Sequence, residues 1–437
     1  MGQIGRNLSL WGWAILLLIL PLPFLPPVFT GFALFLILFL IAIRRWTFGY
    51  FLPPTPLNLA LLLLLGSLLL SYLVVFDTRL SLPKFTSILI GIALYFSVVH
   101  SSKERSVWPI ASTYIFLGIS IAIVGLFGSE WPSPFTFLNT ASKLLPLKRL
   151  EISGTVNGII NLNELAGVLC WVAPVLLAFS IGLRRNLIRR SFTLYILLLT
   201  ATLFVIFLLI ATLSRGGILA FSIGALLIAA LYMTGKWRLV LGSALIPGLI
   251  IILAYISNQS ETNITGDALG LSGRIEIWSR ALLAIQDFPL TGVGVNGFRQ
   301  IVHELYPLFE ISRDTDIAHA HNHLLQAGLD LGLPGMISYL ALWLLSSVLL
   351  WATLRSLVRR GGDHHPYYAL ATGLAGSLLA GWVFGLFDTV ALGSRPGFMW
   401  WLLLGMTVAV HYEVCFSGKH LKVYHRAGMN LSSRRQQ

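Results

Sequence analysis

The stretch that decides the fold is "FTLYILLLTATLFVIFLLIATLSRGGILAFSIGALLIAALYMTG", residues 192–235. A membrane helix needs about 20 mostly apolar residues. This stretch supplies two such runs, 192–214 and 217–235, which meet at Ser214, Arg215, Gly216 and Gly217. Read this way, Arg215 stands at the boundary of a bilayer, and the rest of the chain has to be sorted into spans and connections around it.

The composition supports that sorting. Of 437 residues, 56% are hydrophobic and 11% charged, whereas a soluble domain carries about 25% charged residues. The mean hydropathy is +0.82. Besides the two runs above, candidate spans fall near 9–26, 28–43, 57–75, 84–100, 107–128, 158–183, 239–258, 334–354, 367–387 and 397–413, giving about 12 in all. The first is interrupted by prolines. It could be a secretory signal, but "PLPFLPPVF" after Leu20 offers no small-x-small cleavage site, so it reads as an uncleaved span. Cys170 and Cys415 lie in or beside apolar segments and supply neither a disulfide framework nor a thiolate metal cluster.

Charge then orients the spans. An even number puts both termini on one side. With the N-terminus in the cytoplasm, the inside segments collect 19 of the 30 basic residues, among them Arg44, Arg45, Arg184, Arg185, Arg189, Arg190, Arg359 and Arg360. That asymmetry is the positive-inside pattern. The net charge of +13 is thus mostly a topology signal. Nucleic-acid binding is set aside, because the basic clusters are short and scattered among loops. One outside segment is much longer than the rest, 259–333, and loops of that length without a role are uncommon. A second outside loop, 129–157, carries Lys143, Lys148 and Arg149. The expectation is an all-α polytopic protein, one integral domain over 1–437, with an external and partly helical subdomain at 259–333.

Four pieces outside the spans carry chemistry. Arg215 at the outer end of its span could snorkel to headgroups. Basic residues are depleted on that side, however, and Gly216 and Gly217 let a ligand approach the backbone. In "LSGRIEIWSRALLAIQDFPLTGVG", the spacing of Ile275, Ile277, Trp278, Leu282, Leu283 and Ile285 predicts an amphipathic helix on the membrane face, with Ser272 as its cap. Arg274 would then sit in the first turn, where a helix N-terminus attracts anions and a guanidinium adds a phosphate fork. Arg280 lies further along it. "GVGVNG" at 292–297 matches a dinucleotide fingerprint, but no strand–helix unit surrounds it, so it reads as a glycine-rich turn.

The fourth piece is "AHAHNHLLQAGLDLGLPG", 318–335. In an extended segment His319, His321 and His323 would share one face, which invites a zinc reading with Asp314, Asp316 or His303 as further ligands. Alternatively, Asn322 begins a helix and leaves His321 at its mouth as a general base, since an imidazole accepts protons near neutral pH. Pro334 and Gly335 would separate that helix from the next span. An outward histidine near outward arginines suits a diphosphate leaving group held by Arg and a hydroxyl activated by His.

These residues resemble the bacterial O-antigen ligase and polymerase family. "TLSRGG", "GRIEIWSRAL…FPLTGVGVNGF", "HAHNHLLQAGLDLGLPG" and the long external loop carry the resemblance, which is specific over about 155–345. His321-Asn322, nine residues, then Gly332-x-x-Gly335 matches the ligase pattern. The resemblance implies a glycosyltransferase of the inner membrane with its active site in the periplasm. The donor would be an undecaprenyl-diphosphate-linked glycan. The acceptor would be lipid A–core or a lipid-linked repeat unit, with membrane lipids around the chain. It further implies Arg215 and Arg274 as diphosphate ligands, His321 as the activating histidine, and inversion without a metal or cofactor. His319, Asn322, His323 and Arg280 would support the site. "NGIINLNELAG" at 157–167 resembles the family's entrance to the sixth span, with Asn161, Asn163 and Glu164 as candidate cavity residues. Two other readings stay open. A flippase would show duplicated halves and deep charges, and a shape-and-division polymerase would rely on an acidic catalytic residue in its external loop.

Overall fold

The computed structural model describes residues 2–25, 27–140, 159–233, 270–362, 365–390 and 392–416. The expected span 239–258, the segment 259–269, Lys143, Lys148, Arg149 and the basic residues beyond 416 lie outside the described residues. Among the described residues there is no β-strand. In chain order the helices are α1 (Gly2–Leu10), α2 (Gly12–Leu18), α3 (Pro27–Phe48), α4 (Asn58–Leu73), α5 (Thr78–Glu104), α6 (Trp108–Gly128), α7 (Leu162–Gly182), α8 (Arg184–Arg190), α9 (Phe192–Ala211), α10 (Arg215–Tyr232), α11 (Gly270–Asp287), α12 (Phe298–Leu305), α13 (His323–Arg359), α14 (Pro366–Gly385) and α15 (Phe398–Cys415).

Nine helices among the described residues are long and apolar enough to cross a membrane. A tenth is reached if the pair Gln3–Leu10 and Gly12–Phe24, bent by 57°, is one span. The expected total of about 12 includes the span 239–258, which lies outside the described residues, so this count neither reaches nor overturns it. Helix α4, at 16 residues, rises about 24 Å at 1.5 Å per residue and falls short of the ~30 Å hydrocarbon core. The bend in the first span falls at Trp11, and the prolines at 21 and 23 end that segment in a single 3-10 turn.

Two boundaries move in ways that matter for the site. Helix α5 begins at Thr78, because Asp77 caps it by accepting from the amides of Arg79 and Leu80. Lys84 therefore lies within the helix. The long helix α13 is broken at Gly332, not at Pro334–Gly335. Gly332 has φ 70°, and a Cβ there would fall 2.5 Å from the Leu290 carbonyl. Pro334 follows in the first turn of the second half, where a missing N–H costs nothing.

Helix α14 is the centre of the bundle and packs on α7, α10 and α13, while α15 packs on α5 and α13 on α4. Small residues allow the close approaches: Gly224 of α10 meets the backbone of Gly376 on α14. A second, smaller core lies outside the bundle. There Ile277, Ala281, Ala284 and Ile285 of α11 bury against Phe298 and Val302 of α12 and against Tyr306, Ile311, Ile317 and Ala320. Ile275, Leu282 and Leu283 point the other way and are exposed, so α11 is amphipathic as its spacing predicts. Its described part already includes Gly270, however, so Ser272 lies inside the helix, exposed, and Arg274 lies beyond its first turn.

The "GVGVNG" stretch is a turn, with left-handed backbone at Gly292, Gly294 and Asn296. It is tied to α13 by Val293 N–H to Leu329 O at 2.8 Å and Asn296 N–H to Asp330 Oδ1 at 2.9 Å. One end of the bundle gathers basic side chains: Arg6 with Glu104 at 2.7 Å, Lys103 over Tyr50 and Tyr412, and Arg360 on Val414 O. The candidate residues gather at the other end.

Candidate active site

The loop before α13 folds tightly. Asn322 caps the helix, its Oδ1 accepting from Leu324 N–H at 3.0 Å and Leu325 N–H at 3.1 Å. Its amide nitrogen reaches Leu386 O, on the segment that follows α14. His321 precedes the cap with φ 47°, a left-handed conformation that a non-glycine residue holds only when its surroundings impose it. The turn destroys the single face expected of an extended H-x-H-x-H. His319 and His321 stay together, ring centroids 4.2 Å apart. His323 turns away into the bundle.

The partner of the two remaining histidines is Asp388, from the segment after α14. Its Oδ1 lies 3.6 Å from His319 Nε2 and 3.7 Å from His321 Nδ1. His319 Nδ1 accepts from the His321 N–H at 3.3 Å, so the hydrogen bonding assigns the His319 proton to Nε2, facing the carboxylate. The same carboxylate favours a proton on His321 Nδ1. That leaves the His321 Nε2 lone pair as the basic atom. Burial lowers the His319 pKa to about 4; His321, Lys84 and Arg274 add to that effect, and Asp388 opposes it. Burial alone would raise the Asp388 carboxyl, but His321 and His319 hold it at about 2. The carboxylate is therefore ionised and His319 neutral near pH 7.

His319, His321 and Asp388 offer ligand atoms within 4.8 Å of one another, a set of types that zinc accepts. The tautomer opposes that use. A metal on His319 Nε2 would require the proton on Nδ1, which already accepts from His321 N–H. The other expected ligands are engaged or remote: His303 bonds Thr315 O at 2.7 Å, Asp316 pairs with Arg299, and Asp314 is exposed.

Beside this group lies a cavity of about 300 Å³ whose lining includes Lys84, Glu164, Arg299, His319, His323 and Arg395. It carries more cationic than anionic side chains. Lys84 reaches Asp330, which is fully buried, at 2.5 Å. Arg274 is close enough to His319 for its charge to act on the imidazole. Arg215 opens α10, with Ser214 capping the helix and Gly216 abutting Phe387, the neighbour of Asp388. Six pieces of the chain thus converge: the N-terminal parts of α5, α7, α10 and α13, the part of α11 that carries Arg274, and the segment between α14 and α15.

Three expected residues play other parts. His323 is buried, its Nδ1 3.2 Å from Tyr339 OH, boxed by Trp343 and Trp382 and seated where Gly385 lacks a side chain. Arg280 straps the small external core: its Nε donates to Pro307 O at 2.9 Å and its guanidinium lies over Phe309. Asn161 is exposed and caps α7 through Asn163 N–H at 2.8 Å. Glu164, by contrast, lines the cavity. Asp388, Lys84 and Arg395 were not among the sequence candidates. The latter two are basic residues at the span ends that the charge pattern expects to face outward, the same anomaly that singled out Arg215.

The fold and this site define a polytopic membrane protein with a histidine–carboxylate group beside a cationic cavity. Residues 200–340 match the family model described as O-antigen ligase. This match supports an O-antigen ligase/polymerase family for the chain, whose members are membrane enzymes of the glycosyltransferase type. No curated protein matches it.

Proposed function

We propose that the protein transfers a glycan from undecaprenyl diphosphate to a sugar hydroxyl at the periplasmic face of a bacterial inner membrane. The observation that carries this reading is His321, facing Asp388 and packed on His319, which lines a cationic cavity. The acceptor hydroxyl attacks the anomeric carbon while His321 Nε2 takes its proton. The bond from that carbon to the diphosphate oxygen breaks, and the configuration inverts because there is one displacement. Asp388 stabilises the imidazolium as it forms. Arg215 and Arg274, with Lys84 and Arg395 at the cavity, hold the charge that develops on the diphosphate. His319 and Asn322 support His321. Glu164 lines the same cavity and is a candidate for contacting sugar hydroxyls. No metal is needed, because a charge-stabilised diphosphate is already a good leaving group.

The His-Asn…Gly-x-x-Gly match favours ligation to lipid A–core. Purified protein in lipid nanodiscs would be incubated with a lipid-diphosphate glycan and, separately, with lipid A–core or further lipid-linked repeat units. Product on the core supports a ligase. A polymer ladder without core product means a polymerase. Transfer to neither acceptor, together with donor crossing vesicle bilayers, would overturn the enzyme reading in favour of a flippase.

A further inference from the structure

Ala320, between the two histidines, is held at both of its backbone polar groups by side chains to which the proposed reaction assigns no role. Trp278 Nε1–H donates to Ala320 O at 3.0 Å. Ala320 N–H donates to Gln326 Oε1 at 2.8 Å. The Gln326 amide orientation is unambiguous, because its Nε2 donates to Asp330 Oδ1 at 3.0 Å, and a carboxylate can only accept. Ala320 is fully buried and Gln326 nearly so. The two clamping residues come from different elements. Trp278 lies one helical turn beyond Arg274 on α11. Gln326 lies one turn into α13 and is joined through Asp330 to Lys84 on α5 and to Asn296 of the glycine-rich turn.

We infer that Trp278 and Gln326 are positioning residues that fix the two peptides flanking Ala320 so that His319 and His321 both face Asp388. The inference rests on the assignment of His321 as the base. His321 needs such support because its backbone is left-handed, at φ 47°. A free loop would relax toward right-handed or extended conformations and carry the imidazole away from the carboxylate. The clamp also ties the base to the elements that carry Arg274 and Lys84, so that base and cations share one frame. Gln326 also borders the cavity, but its amide is committed to Ala320 N–H and to Asp330, and Trp278 is not among the cavity's lining residues.

The test uses the full chain in nanodiscs. Trp278→Phe removes the N–H donor and keeps an aromatic ring, while Gln326→Leu removes both hydrogen bonds at similar size. Each is expected to lower kcat about tenfold or more, since small displacements of catalytic groups are costly. KM for the lipid donor should stay within about twofold, because the arginines remain in place. Independently of transfer, carbethoxylation of His321 by diethyl pyrocarbonate, followed by mass spectrometry, should become several-fold faster in both variants. Wild-type kcat in both variants would overturn the proposal. So would unchanged His321 reactivity, even with kcat lowered, because the loss would then be general. Retained transfer in His321→Ala would instead sink the base assignment, while the reactivity readout would still judge whether the loop is clamped.

Discussion

At the scale of single residues, the site is a division of labour between three similar imidazoles. Sequence spacing treats His319, His321 and His323 alike, but the backbone does not. The left-handed turn at His321 and the cap at Asn322 pair the first two on Asp388 and send the third into an aromatic box. His321→Ala should therefore reduce transfer by about 10²–10⁴-fold, the usual worth of a general base, with donor binding measured by equilibrium methods largely kept. Asp388→Asn should lower kcat by at least about 10²-fold, because an amide can present the wrong tautomer to His321. Normal turnover in Asp388→Asn would remove Asp388 from the mechanism. His319 makes a separate statement about pH. Its folded-state pKa, about 4, lies below its ordinary 6.5. Between those values the unfolded chain takes up a proton that the folded chain refuses. Its contribution to stability is thus whole above pH 6.5 and is lost as pH falls toward 4. The melting temperature should fall from pH 7 to pH 5, and His319→Gln should fall less steeply. An identical slope in the variant would show that His319 is not held neutral. Asp388 adds nothing in that window, because its contribution is lost only below 3.8.

At the scale of elements, the apolar spans were largely legible, because about 20 apolar residues have few uses other than crossing a bilayer. What the sequence concealed lay at their ends. Asp77 starts α5 early and draws Lys84 into a helix, where it meets Asp330. No local pattern connects residues 84 and 330, and Asp388 pairs with histidines nearly seventy positions earlier in the chain. Pro334 drew attention to the wrong break in α13, since a proline tolerated in a first turn looks the same in sequence as one that ends a helix. The hinge is Gly332, and two constraints meet there: its positive φ and its contact with the Leu290 carbonyl. Gly332→Ala should destabilise the protein by more than the ~1–2 kcal/mol that left-handed backbone alone costs an L residue. Gly361 shares a positive φ, 66°, but has open space around it. Gly361→Ala should cost no more than that backbone term. Thermal unfolding of the two variants in one detergent checks the ordering; equal shifts would mean that the Gly332–Leu290 contact does not constrain the hinge.

For the molecule taken entire, function turns on which side of the membrane the site faces. The positive-inside count takes no account of which span ends meet in space. The described residues bring Arg6, Lys103 and Arg360 to one end of the bundle and Lys84, Glu164, His321, Asp388 and Arg395 to the other. That segregation is what alternating spans require, and it agrees with a cytoplasmic basic end. It also accounts for the basic residues that break the rule. In the proposed orientation Lys84, Arg215 and Arg395 sit at the external end, where a diphosphate would need them. A single-cysteine experiment decides the orientation. In a Cys415→Ser background, with Cys170 buried, a cysteine at Asp314 is exposed on the external core. It should react with a membrane-impermeant maleimide added to intact spheroplasts. A cysteine at Gly362, in the turn between α13 and α14, should react only after the membrane is opened. Expression and full reactivity in detergent must be equal for both, so that a silent site means protection and not misfolding. The reverse pattern, with Gly362 labelled from outside and Asp314 protected, would place His321 in the cytoplasm. The acceptor would then have to be a cytoplasmic glycan, and ligation to lipid A–core at the periplasmic face would be excluded.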